Sequence, residues 1–167
     1  NRALVYMWDD HDFGENDSNM LSDSIDAAQK AYQMFVPHHP LVAQSTLAAG
    51  DAAAFKVPIY QAFTVGRVRF IMLDLRSQSE PAAAEDIAHW ANGVSPTMLG
   101  MAQKAWLDTE LSKHNQYGLM VLVSSKPWTG EESDSGCCKW CLQKFTWTAQ
   151  FLRRETVFSP AFDFTRR

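Results

Sequence analysis

Short apolar runs, set apart by polar or amphipathic stretches, constrain this chain most. Residues 3–8 (ALVYMW), 68–75 (VRFIMLDL) and 119–125 (LMVLVSS) are the length of single strands. They are rich in the β-branched and aromatic side chains that suit a pleated surface. The run at 68–75 is apolar at nearly every position, as in a strand covered on both faces. Residues 59–65 form a further strand candidate joined to it by Gly66-Arg67, a two-residue connection that favours a hairpin. Between these runs lie two helix candidates. Ser22 or Asp23 can cap a helix over 24–35, with Ile25, Ala28, Tyr32 and Phe35 on one face and Pro37 beyond its end. Residues 98–114 place Leu99, Ala102, Trp106, Leu107 and Leu111 on one face, with Thr97 as the expected cap. Residues 38–57 read as a long loop with a helical turn, and 77–96 as polar with a short helix at 82–91. The order strand, helix, two strands, helix, strand predicts an α/β fold with helices packed on a sheet.

The balance of charge narrows the partners. The 167 residues carry 15 basic and 19 acidic side chains. No basic stripe stands out to neutralise a nucleic-acid backbone. No apolar run reaches the roughly 18–20 residues of a membrane span. The three cysteines, Cys137, Cys138 and Cys141, fall within five residues, which is no disulfide framework. Cys138 and Cys141 have the spacing of half a zinc ligand set, with no second Cys/His pair after them.

The first apolar run ends in Asp9-Asp10-His11-Asp12. Open α/β sheets bind ligands beyond the carboxyl ends of their strands. Three carboxylates and an imidazole in four residues repel one another and resist burial. A hard cation would relieve that repulsion, and could activate water and clamp a phosphoryl oxygen. The alternative is a solvated acidic turn where a strand leaves the sheet.

Residues 8–17, WDDHDFGEND, resemble the signature of the PhoD-like alkaline phosphatases, part of the calcineurin-like metallophosphoesterase superfamily. Further resemblances follow in the same order: YQAFTVGRVRFIMLDLRS at 60–77, TMLGMAQKAWLDTEL at 97–111 and LVSSKPW at 122–128. The resemblance implies a metallophosphatase sandwich and hydrolysis of a phosphate ester at a metal centre, for which the family suggests iron and calcium. It also implies an extracytoplasmic or membrane-associated location.

Carried over residue by residue, the resemblance makes Asp10 a metal ligand and His11 the catalytic group facing the phosphate. Asp9 and Asp12 would orient the ligands from behind. Asn16 and Asp17 complete the signature, and Asn16 would reach the substrate or order the loop. Arg76, in Asp74-Leu75-Arg76, would either approach the phosphate or tie the strand end to a loop as an internal ion pair. His38, His39, His89 and His114 read as surface histidines, Lys126 as a contact for an anionic substrate or a solvated lysine, and Trp128 as lining a substrate mouth or the core.

The chain departs from the family pattern in two respects. The Asp-bearing and Gly-Asp elements expected before the Asp-His motif are not in this sequence, and no histidine follows Trp128. Residues 136–167 also lack the acidic, tyrosine-rich character expected of the family. The expectation is therefore a piece of a larger catalytic domain: 1–135 family-like, 136–167 a divergent tail from an altered reading frame, an unspliced end or a truncated gene model. The expected activity is a metal-dependent phosphoric ester hydrolase within a larger domain. The alternative is a truncated, non-catalytic remnant.

Overall fold

The computed structural model describes residues 4–48, 51–80 and 97–126. Over these residues the chain is α/β, with a mixed three-stranded sheet in the order β1-β2-β3. Strands β1 (Gln61–Val65) and β2 (Val68–Met72) pair antiparallel, Gln61 opposite Met72 and Val65 opposite Val68. Gly66 carries the turn between them with φ 60°, the sign a type II′ hairpin demands at its first central residue. Strand β3 (Leu119–Val123) lies parallel to β2, from Val68 opposite Leu119 to Met72 opposite Val123. Leu73 N–H extends that ladder to the Val123 carbonyl at 3.1 Å.

Helix α1 is a single turn, Asp10–Phe13, and α2 spans Ile25–Phe35. Helix α3, Gly100–Leu111, lies in the crossover that a parallel β2–β3 pair requires. The expected loop at 38–57 contains two 3₁₀ turns, Ala43–Thr46 and Ala52–Phe55. The helix expected at 82–91, with His89, lies outside the described residues, as do Trp128, the cysteines and the tail.

Two apolar clusters hold the fold. Trp8, Phe13, Tyr32, Leu41, Val57 and Ile59 form one, on the side of α1 and α2. Ile71, Leu73, Leu75, Met98, Leu99 and Leu107 form the other, under α3. Period-two alternation assigns the strand residues to these sides: Ile71, Leu73 and Leu75 face α3, while Asp74 turns to Trp8 and Ile59. Burying each such aliphatic side chain contributes about 1.5–3 kcal/mol.

Several expectations need correction. Residues 4–9 form no strand and have no ladder partner among the described residues; side chains of Trp8 and Asp9 anchor them instead. The acidic motif therefore does not sit at a strand end but opens the turn of α1. The run at 119–125, whose apolar character predicts a buried strand, is exposed at Leu119 (56%) and Leu122 (36%). Phe35, expected on the inner face of α2, is 77% exposed at the helix end. Ala102 is exposed, and Gln103 is buried in the α3 face instead.

The reason for the last exchange is a hydrogen-bonding demand. Beyond β2 the backbone of Asp74 has no strand partner, and a buried peptide group left unpaired is costly. Gln103 supplies what a strand would. Its Oε1 accepts from Asp74 N–H at 2.8 Å and its Nε2 donates to the Asp74 carbonyl at 2.8 Å. Thr97 does cap the approach to α3, its Oγ1 accepting from Leu99 N–H at 3.1 Å.

Candidate functional site

The acidic loop is built outward from Trp8. The indole is 2% exposed, stacked obliquely against Phe13 and edge-on to Tyr32, with ring centroids 5.0 and 5.4 Å away. Its Nε1 donates to Asp74 Oδ1 at 3.1 Å. Asp74 is fully buried and accepts further hydrogen bonds from the backbone N–H of Ile59, Arg76 and Ser77 and from the Ser77 hydroxyl. A buried carboxylate is tolerable only when its lone pairs are filled in this way.

With Trp8 fixed, Asp9 starts α1. Its backbone N–H donates to Asp12 Oδ2 at 3.0 Å, the back-reaching half of a capping box. Its carboxylate is taken by Arg76, whose Nε and Nη2 donate to Asp9 Oδ1 at 2.7 and 2.5 Å. The Arg76 side chain is 5% exposed. Its Nη2 lies 3.6 Å from Asp10 Oδ2 and its Nη1 3.9 Å from Asp17 Oδ1. Of the two readings open for Arg76, the internal ion pair is thus a feature of the structure. Nη1 is buried and has no hydrogen-bond partner.

Asp10 is wrapped by its own loop. Oδ1 accepts from His11 N–H and Oδ2 from Asp17 N–H, both at 3.0 Å. The hydrogen bond from Asp17 N–H holds the Asp10 carboxyl below the usual aspartate range; Arg76 and His11 add to this against the opposing effect of burial. Asp17 reaches that position with φ 58°, a left-handed conformation that aspartate tolerates better than most residues. Asn16 Nδ2 donates to Asp17 Oδ2 at 3.0 Å, so Asn16 orders the loop from its exposed side. His11 and Asp12 are exposed.

Gly14 closes the turn. An added Cβ there would meet the hydroxyls of Ser18, Ser22 and Ser24 at 2.5, 2.6 and 2.9 Å. Ser24 Oγ donates to the Phe13 carbonyl at 2.6 Å, joining the end of α1 to the start of α2. The expected side-chain cap of α2 is replaced by this contact.

The structure therefore brings together Asp9, Asp10, Asp17 and Arg76, with His11, Asp12 and Asn16 on the outer rim. The oxygen-rich donor set is chemically suited to a hard metal. Its geometry is not: among the described residues no group of three or more His, Cys, Asp or Glu side chains converges to hold an ion. Both oxygens of Asp10 and one of Asp9 already face N–H groups. The described residues by themselves do not fit a metal centre.

The other described histidines, His38, His39 and His114, lie apart from the loop. His38 stacks on Tyr32 at 5.7 Å and His39 on Phe63 at 4.1 Å, while His114 is exposed in a 3₁₀ turn after α3. Lys126 is half-buried. Sequence reasoning passed over Trp8 and Gln103 as supports of the site. The one signal for the arrangement was Asp74, a lone carboxylate inside an apolar run, which marks a buried acceptor looking for donors.

A family model described as PhoD-like phosphatase matches residues 1–163, a range that takes in most of the 136–167 segment. No curated protein and no solved structure matches the chain. The matched range takes in the acidic loop, the Asp74–Arg76 segment and α3, and the chain belongs to the PhoD-like phosphatase family.

Proposed function

We propose that this chain is part of a metallophosphatase sandwich that hydrolyses phosphoric esters of the alkaline phosphatase or phosphodiesterase type, with the loop at 9–17 as its contribution to the site. What carries the reading is the family membership of the chain, together with a loop whose inner carboxylates are pinned and whose histidine faces outward. Iron and calcium are the metals the family suggests. Because the described residues do not complete a centre, the roles below are those of side chains alone.

His11 is the proposed catalytic group. It follows directly on Asp10, which accepts its backbone N–H, and its imidazole lies at the surface where an ester can reach it. An imidazolium there would donate a proton to the departing oxygen or offset charge gathering on the phosphoryl group. Asp10 is the proposed metal ligand, Asp9 and Asp12 its supports. Asn16 is the exposed amide offered to the substrate. Arg76 is the proposed substrate-binding guanidinium, with Nη1 its buried nitrogen that has no hydrogen-bond partner.

A second reading has its own support. With no three ligand side chains converging among the described residues, a non-catalytic remnant of such an enzyme accounts for the geometry equally directly. Hydrolysis of p-nitrophenyl phosphate and its bis ester, at alkaline pH with calcium, iron or manganese, separates the two. Metal-dependent turnover that His11→Ala abolishes establishes the hydrolase. A folded chain that hydrolyses neither ester under any of these conditions is an incomplete piece of a phosphatase, without activity of its own.

No helix among the described residues is long and apolar enough to cross a membrane. The phosphate-ester substrate and an extracytoplasmic or membrane-associated location follow from the family alone.

A further inference from the structure

Arg76 faces Asp9, Asp10 and Asp17 from a single buried position. The loop is folded around this guanidinium. Asp9 gives it a two-pronged ion pair, and the left-handed turn at Asp17 closes the loop back on Asp10. A guanidinium keeps its single positive charge at every accessible pH, so it permanently offsets part of the charge of these three carboxylates. Nη1 adds an independent observation: it is a buried donor without a hydrogen-bond partner, aimed at Asp17. Opposite charges this close in a partly desolvated site interact strongly, and like charges there repel as strongly.

We propose that Arg76 is a positioning residue that serves as the resident counter-charge of the acidic loop, so that a hard cation reaches Asp10 only in competition with the guanidinium. The carboxylates that resemble a ligand set are already partly compensated by the protein itself. This explains why the Asp10 carboxylate accepts from Asp17 N–H and yet, among the described residues, joins no group of three ligand side chains. The inference rests on the loop geometry and holds whether or not the chain hydrolyses an ester.

The test reads cation binding, not activity. Terbium(III) alone is titrated into the full chain, with tryptophan-sensitised luminescence as the signal, since Trp8 lies next to the loop. Calcium then competes for the bound ion. Arg76→Gln is expected to bind terbium about tenfold tighter or more than the parent chain. Adding Asp10→Asn to that variant is expected to abolish the gain. Equal affinity in Arg76→Gln and the parent overturns the proposal, as does a gain that survives Asp10→Asn. Should the glutamine variant not fold, Arg76→Met keeps the buried stem without a new polar atom and takes its place. Should neither fold, recovery of structure on adding calcium supports the counter-charge role, and no recovery overturns it. Tight terbium binding by the parent that Arg76→Gln leaves unchanged would sink this inference while favouring the metal dependence proposed above.

Discussion

Trp8 donates to Asp74 across 66 positions of sequence, and Arg76 takes the carboxylate of Asp9 across 67. Two neighbouring residues of the loop are thus held by two residues of the segment that follows β2. Side chains join the two stretches where no ladder does. The contacts work in opposite senses, Trp8 donating an N–H hydrogen bond to a buried carboxylate and Asp9 offering a carboxylate to a buried guanidinium. Together they fix where α1 begins and so the direction in which His11 leaves the loop.

Asp74→Asn should destabilise the fold by about 3 kcal/mol. Both carboxylate oxygens face only donors apart from the Ser77 hydroxyl, so an amide NH₂ at either place confronts an N–H. Trp8→Phe should cost less, about 2 kcal/mol, since it removes one donor and some volume. Urea unfolding of both variants checks the order; equal costs would show that Asp74 is not the hub.

The Asp10 carboxyl sits below its usual range in the folded chain. Its contribution to stability is therefore complete above the unfolded pKa, about 4 for aspartate, and is lost as pH falls through the lower folded value. Asp10→Asn should flatten that part of the acid limb while leaving the profile above pH ~5 parallel to the parent. The measurement is the urea midpoint as a function of pH; an unchanged acid limb in the variant would contradict it.

Glu110→Gln should cost about 2–3 kcal/mol. Glu110 is 6% exposed on α3 and accepts from Arg69 Nε and Nη2 on β2 at 2.9 and 2.7 Å, with Lys113 at 2.7 Å. Burial alone would raise its pKa, and the hydrogen bonds from Lys113 and Arg69 outweigh that and lower it. Neutralising it leaves the guanidinium, 17% exposed, short of its partner. A double-mutant cycle with Arg69→Met should recover much of the loss; additive effects would mean the pair is not coupled.

Gly14→Ala should destabilise the chain by about 1–3 kcal/mol through crowding, not through backbone strain, because Gly14 has an extended φ of −176°. The added methyl would displace the three serine hydroxyls that pack against this glycine. Thermal unfolding should show a lower midpoint, partly restored by Ser22→Gly in the same chain. A neutral Gly14→Ala would mean that the loop has room the contacts deny.

The sequence by itself determined the elements whose signal is local. The hairpin turned by Gly66, helix α2 before Pro37, and the strand after α3 follow from periodicity and turn chemistry within short windows. The acidic loop was legible as a cluster, and the family membership as an ordered set of motifs. Only the tertiary structure decided what those carboxylates face. Residues 4–9 have the composition of a strand, but a strand needs a partner with free ladder groups, and these residues are held instead by Trp8 and Asp9 side chains. Likewise nothing local to Gln103 announces that its amide completes the backbone pairing of Asp74, and nothing local to Arg76 selects its three carboxylates. Such contacts join residues far apart in the chain, and the demand they satisfy, a buried polar group needing a partner, arises only once the core has closed around it.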